Sequence, residues 1–456
     1  MKKIHWKRIT GVMLAAFCLL TSFPQKVEAA EYWPEGPTID TPSAIVMEVS
    51  TGTVLYEKNA DQQLYPASIT KIMTTLLAIE NCSMDEIVTF SKEAVYKNEG
   101  DTSHISRDVG EEMTVEQCLY GIMLASANEC AWAIAEHVGG TEEHFVEMMN
   151  EKAKELGCTN THFNNPNGLP DEQHYTSARD MALISQAAYK NETFRIITGT
   201  ARYTIPPTNK HSDPTPLQNH NEMLYPWKYT QFKYEYCTGG KTGFTKVANS
   251  TLVTYAEKDG MTLVCVVMNT ISPAHWLDST TLFDYCFDNF QMWNIADNEN
   301  RYENEVNQNV GSLNDYPAYA QIDQDAQIVL PKTAEFQDTT VEVNQDNTSD
   351  KVVGELSYTY MGRQVGKADI VVTDTDVKTF DFDNVEDAEK KTLHINPLIV
   401  ILILLGVLAL VVIFFVARRA ADNFYIMRHN IEVRKYSKKQ KRKKKKSNLS
   451  FRSKRR

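Results

Sequence analysis

The stretch Tyr65-Pro66-Ala67-Ser68-Ile69-Thr70-Lys71-Ile72-Met73-Thr74 decides how this chain is read. Ile69, Ile72, Met73, Leu76, Leu77 and Ile79 recur at spacings that give a helix one broad apolar face, and Pro66 suits the turn that opens it. The same periodicity puts Ser68 and Lys71, three residues apart, on one face. A serine hydroxyl is a weak nucleophile at neutral pH and needs a positioned base. A lysine that is desolvated, or set beside a second cation, gives up its proton easily enough to serve. The start of a helix adds positive partial charge where an oxyanion would form. Alone, the spacing says little, because a chain of 456 residues contains a Ser-x-x-Lys by chance about once.

Two further short elements follow in order. Ser126-Ala127-Asn128 begins 58 residues after Ser68, and Lys241-Thr242-Gly243 begins 115 residues later, preceded by Gly239-Gly240. Each residue has an ordinary structural use: Ser68 as a helix cap, Lys71 on a solvated face, Ser126 and Asn128 in helix packing, Lys241 in a turn. The ordered set is far more specific than any member. With the flanks Gly121-Ile-Met-Leu-Ala-Ser-Ala-Asn128, Phe163-Asn-Asn-Pro-Asn-Gly-Leu169 and Gly240-Lys-Thr-Gly-Phe-Thr245, residues 38 to 390 resemble the low-molecular-weight D-alanyl-D-alanine carboxypeptidases, serine enzymes that react with penicillin.

That resemblance implies an α/β (α+β) domain of the β-lactamase/transpeptidase type, with a central antiparallel sheet flanked by helices. It implies Ser68 as nucleophile, Lys71 as its base and Ser126 as proton relay to the departing amine. Asn128, Lys241, Thr242, Gly243 and Phe244 become substrate-binding residues: Asn128 for Lys71 or the substrate amide, Lys241 and Thr242 for a terminal carboxylate, and the backbone N–H groups of Ser68 and Phe244 for the oxyanion. The implied substrate is a peptidoglycan stem peptide ending in D-Ala-D-Ala, with β-lactams as a second ligand class and no metal or cofactor. Two departures from the family pattern, Gly240 before the lysine and Ala248-Asn249-Ser250 after the motif, lead us to expect altered strand packing there. Other functions stay open at this point: a β-lactamase, a D,D-endopeptidase or transpeptidase, or a non-catalytic wall-binding scaffold. The first of these usually needs a glutamate near residues 163–172, where only Asp171 and Glu172 stand, out of the expected motif.

The rest of the chain describes an exported, anchored protein. Residues 1–29 read as a signal peptide: Lys2, Lys3, Lys7 and Arg8, an apolar run from Gly11 to Leu20, then Val27-Glu28-Ala29-Ala30. Leu398 to Val416 are 19 consecutive residues without a charge, enough for one transmembrane helix. Residues 417–456 follow with a net charge of +15, which by the positive-inside rule makes them cytoplasmic and suits anionic lipid headgroups. Removing that +15 and the leader's +4 from the chain's −12 leaves −31 for residues 30–416, which argues against a nucleic-acid partner.

The length implies at least two folded domains. We expect the catalytic domain over 38–296, with a hairpin at Ala44–Tyr56, one long helix over Thr114–Val138, helices at Glu142–Leu156 and Thr176–Tyr189, and strands at Thr251–Ala256 and Met261–Met268. Short alternating runs over 300–390 read as a small β-sandwich that serves as spacer or partner module, and Asp381–Pro397 as a linker. Seven cysteines remain after the leader, an odd number that argues against a fully paired framework. No cysteine or histidine spacing suggests a metal, and most of these thiols read as small buried hydrophobes, with one or two disulfides left open.

Overall fold

A computed structural model describes residues 32–97, 102–301, 320–344 and 352–372. The expected signal peptide, linker, span and basic tail lie outside these residues. Among the described residues, no helix is long and apolar enough to cross a membrane.

The core is an antiparallel sheet of five strands. β1 (Ser43–Glu48) and β2 (Val54–Lys58) form the expected hairpin, while β3 (Ile87–Thr89) with β4 (Glu112–Thr114), and β5 (Arg202–Ile205) with β6 (Thr215–Gln218), form two small ribbons outside it. The main sheet is completed by β7 (Cys237–Thr245), β8 (Asn249–Lys258) and β9 (Met261–Thr270), in the order β2-β1-β9-β8-β7. Successive side chains of a strand point to opposite faces. Val264, Val266 and Met268 of β9 therefore join the helical core, while Leu263, Cys265 and Val267 pack on the other side against Trp276, Phe283 and Phe287 of the helix Ala274–Asn289. Burial on both faces explains why Leu263–Met268 reads as an unbroken apolar run rather than an alternation.

Sheet order leaves β7 at an edge. The helix Lys71–Asn81 packs under the sheet, and the 3-10 turn Ala67–Thr70 that precedes it lies against β7. Helices Glu142–Glu155 and Ala178–Lys190 form where expected, the second capped by Ser177, whose Oγ accepts from Asp180 N at 3.1 Å. The expected single helix over 114–138 is instead two, Val115–Ala125 and Asn128–Gly139. Ser126 between them adopts left-handed backbone angles (φ 60°, ψ 28°), which close the first helix. Hydrophobic periodicity continues across this break because both helices bury their apolar faces in the same core.

From β10 (Phe290–Asn294) the chain enters a second sheet with β11 (Ala320–Ile322), β12 (Gln327–Pro331), β13 (Thr340–Asn344), β14 (Val352–Tyr360) and β15 (Arg363–Val372). Ile328, Leu330, Phe336, Leu356 and Tyr358 form its core, and Trp33 packs against both this cluster and the one beneath the Ala274–Asn289 helix. Among the described residues these strands make one sheet, beginning before residue 300. All seven cysteines of the described residues are free thiols, four of them buried.

Candidate active site

Lys71 opens its helix with none of its surface exposed, and its Nζ lies 3.0 Å from Ser68 Oγ, 2.7 Å from Asn128 Oδ1 and 2.7 Å from the Asn167 carbonyl oxygen. As an ammonium it donates to all three. As a neutral amine it has two hydrogens and one lone pair, and an amide oxygen and a backbone carbonyl can only accept. Ser68 is the one partner able to donate, so loss of a proton from Lys71 turns its lone pair onto the Ser68 hydroxyl. That is the geometry of a base facing its nucleophile.

The amine is disposed to be neutral. Burial lowers its pKa well below the ordinary lysine range and the charge of Lys241 lowers it further, against a smaller opposing effect from Glu129. Glu129 itself is buried, its Oε1 accepting from Ile105 N at 2.6 Å, and desolvation raises its pKa, which weakens that opposition. Lys241 is 1% exposed and donates to the Thr242 carbonyl at 2.7 Å; burial alone pushes it down to about 7.

Backbone strain sets the position of Ser68. Ala67 takes φ 52°, costing ~1 kcal/mol for a residue with a Cβ. The turn is wedged between two glycines. A Cβ on Gly168 (φ 85°) would lie 1.8 Å from the Ala67 carbonyl oxygen, and one on Gly243 would lie 2.9 Å from Ser68 N and 2.3 Å from Thr251 Oγ1. Thr251 Oγ1 also donates to the Pro66 carbonyl at 2.8 Å, tying β8 to the same turn. Gly168→Ala is expected to cost about 2–4 kcal/mol and to slow labelling by a fluorescent penicillin. Denaturant unfolding and labelling kinetics check this; a variant with both unchanged would mean that the Ala67 turn yields freely.

The open face is a cleft of about 910 Å³, lined among others by Ser68, Ser126, Asn128, Thr242, Gly243 and Phe244. Six of the eight expected site residues thus face one space, and the other two, Lys71 and Lys241, are buried. Ser126 reaches the cleft because its left-handed turn ends a helix there, and no hydrogen bond joins its hydroxyl to Lys71. Phe244, among the lining residues, is 68% exposed. Among the described residues, the cleft lining holds no aspartate or glutamate, although residues 30–416 carry a net charge of −31, and it includes Lys246. Gly240 has φ 151° with a prospective Cβ 2.4 Å from the Val253 carbonyl oxygen, so the close pairing of β7 on β8 requires the residue that departs from the family pattern.

Sequence reasoning assigned no role to the loop Phe163–Leu169 beyond its likeness. Asn165 Oδ1 accepts from Gly168 N at 2.7 Å, Asn167 Oδ1 accepts from Leu169 N at 3.0 Å, and the turn so formed aims the Asn167 carbonyl at Lys71. The Asn-Gly pair was the available signal. His174 was missed altogether. Its Nδ1 accepts from Asn164 N and its Nε2 therefore donates to Thr70 Oγ1 at 2.9 Å, a neutral tautomer consistent with burial pushing its pKa down to about 3.

Comparison with known proteins gives a consistent picture. The family model described as D-alanyl-D-alanine carboxypeptidase matches residues 30–272. The D-alanyl-D-alanine carboxypeptidase DacF of Bacillus subtilis is 36% identical over 290 residues, 62% of this chain and 72% of that protein. The D-alanyl-D-alanine carboxypeptidase of Streptomyces sp. K15 is 34% identical over 55% of this chain and 88% of its own length. The solved structure of the Streptomyces K15 DD-transpeptidase superposes with a TM-score of 0.51 at 33% identity, covering 56% of this chain and 100% of that one. Penicillin binding protein 5 from Haemophilus influenzae superposes with a TM-score of 0.60 at 26% identity over 75% of this chain and 98% of that one.

Proposed function

The chain belongs to the D-alanyl-D-alanine carboxypeptidase family and is a serine hydrolase of cell-wall metabolism, and we propose that Ser68, Lys71 and Ser126 carry its reaction. The single observation that supports this assignment most is the set of three contacts at Lys71, in which Ser68 alone can give a proton. Ser68 Oγ attacks the carbonyl between two D-alanines as its proton passes to Lys71, and the tetrahedral oxyanion meets the N–H groups of Ser68 and Phe244. Ser126 passes its hydroxyl proton to the departing D-alanine and takes up the one held by Lys71, which leaves Lys71 neutral again, and water then hydrolyses the ester. Lys241 and Thr242 take the substrate carboxylate, which the lack of acidic side chains among the described residues of the cleft lining favours.

The same acyl-enzyme forms with penicillin. Glu172 is exposed and neither it nor Asp171 lines the cleft, so no carboxylate of that loop stands ready to activate a water on the adduct. This favours a long-lived penicilloyl ester over a β-lactamase. A transpeptidase reading is motivated by the likeness to the Streptomyces K15 DD-transpeptidase and differs only in the acceptor. Incubation of the full-length protein with a stem pentapeptide ending in D-Ala-D-Ala, plus a free-amine acceptor, decides between them. One D-alanine released for each tetrapeptide formed is expected, whereas cross-linked dimer as the main product overturns hydrolysis as the principal outcome. Rapid recovery of activity after benzylpenicillin would move the assignment to a β-lactamase.

The leader, the run Leu398–Val416 and the basic tail further support a catalytic domain outside the membrane, with one span and a cytoplasmic tail against anionic lipid. In this arrangement the 300–390 region holds the cleft away from the bilayer. Protease added to intact cells should digest the catalytic domain and leave the tail protected.

A further inference from the structure

The helices that begin at Lys71 and at Asn128 also end together, and three side chains of kinds that bind borderline metals gather at their far ends. Cys82 caps the helix Lys71–Asn81, His137 lies in the last turn of the helix Asn128–Gly139, and Glu86 sits just before β3. One donor atom from each, Sγ, imidazole N and carboxylate O, lies within 4.8 Å of the other two. Glu86 Oε2 is 3.1 Å from His137 Nε2. Sequence spacing hid this set, since Glu86 follows Cys82 by four positions and His137 follows Glu86 by 51.

We propose that Cys82, Glu86 and His137 form a binding site for a divalent transition metal of the zinc class, with water in the fourth position. A tetrahedral ion with bonds of ~2.0 Å to N or O and ~2.3 Å to S needs donors roughly 3.3–3.8 Å apart. The imidazole and carboxylate, 3.1 Å apart, need to part by only a few tenths of an ångström, and the thiol, within 4.8 Å of both, needs to approach by at most about 1 Å, within reach of one side-chain rotation. A thiolate, an imidazole and a carboxylate together select zinc-like ions over magnesium or calcium, which prefer oxygen alone.

The surroundings favour a cation. Two helices direct the negative ends of their dipoles at the site. Glu86 is held ionised by the Ser83 N–H, which donates to its Oε1 at 2.6 Å, and by His137. Burial and the Glu86 charge keep the Cys82 thiol protonated without metal, so binding breaks one S–H bond, forms one S–metal bond and releases one proton to solvent. The site is ~16 Å along the helix from Lys71, so its ion would brace the pair of helices that sets Lys71 against Asn128 and would not take part in acyl transfer.

Cobalt(II) added to the full-length protein tests the proposal. One equivalent should give the near-ultraviolet sulfur-to-cobalt charge-transfer band and the visible bands of a tetrahedral ion, both displaced by zinc. Cys82→Ser should abolish the charge-transfer band, and Glu86→Gln and His137→Gln should each weaken binding at least ~10-fold. Benzylpenicillin acylation, unchanged in all three, reports that the fold is intact. Absence of the band in the wild-type protein, or its persistence in Cys82→Ser, overturns the site. Should Cys82→Ser fail to acylate, the two surface variants decide alone, and cobalt binding unaffected by both would count against it.

Discussion

Lys71→Met is expected to slow acylation of Ser68 by benzylpenicillin by ~10,000-fold or more, as much as Ser68→Ala slows it, with the double variant no worse than either. Methionine keeps the unbranched stem that fills the buried space but has nothing to accept the serine proton. The Asn128 and Asn167 oxygens lose a donor, at about 1–3 kcal/mol each, offset in part by no longer burying an amine. The protein should therefore fold, and the loss should lie in the rate of adduct formation, read by intact mass against time. The acid limb of the pH profile carries a second signature. Lys71 must be neutral to act, and because its pKa is depressed the wild-type rate should rise with pH from well below the ordinary lysine range. That limb should vanish from whatever rate Lys71→Met retains. A variant acylating within tenfold of wild type would remove Lys71 as the base.

Lys241→Met is expected to do two opposite things: stabilise the fold at acidic pH and slow the enzyme. Its folded pKa of about 7 lies below the unfolded value, so between the two the unfolded chain binds more protons. Stability from this residue is complete above the unfolded pKa, declines as pH falls, and is fully lost once pH drops through about 7. The cost below that point is on the order of 3–5 kcal/mol. Methionine carries no such cost, so the variant should be more stable than wild type at pH ~6 and nearly equal at pH ~10. Acylation should fall ~100- to 1,000-fold, because the charge that depresses Lys71 and attracts a carboxylate is gone. A substrate carboxylate raises the Lys241 pKa as it binds, charging the residue at the moment Lys71 must release its proton. Denaturation midpoints at the two pH values, set beside the acylation rates, check both halves. A stability difference independent of pH would show that Lys241 is not buried as a cation at all.

This pattern, a fold strained to hold its chemistry, also separates what was legible in the residues from what was not. The helix after Ser68 and the paired strands β8 and β9 could be read directly, because hydrophobic period is a local property set by which face meets the core. The break at Ser126 could not. Apolar residues run on through Val115–Gly139, and only the left-handed backbone of one serine divides the run. Gly240 stood out in the sequence only as a departure from the family pattern, and Gly168 only as part of an Asn-Gly turn; the physical reason for both, carbonyls of Val253 and Ala67 where their Cβ atoms would be, lies in the tertiary structure.

By itself the order Ser68-x-x-Lys71, Ser126-x-Asn128, Lys241-Thr-Gly pointed to the family and its class of reaction, since a hydroxyl, an amine and a second cation are properties of residue types. Tertiary structure alone decided which way the proton moves. Burial of Lys71 and Lys241, the carbonyl of Asn167 and the edge position of β7 come from segments far apart in the chain, and a pKa depends on what surrounds a group in space. The same reason hid Cys82, Glu86 and His137: two helix ends had to meet before their side chains could form a site.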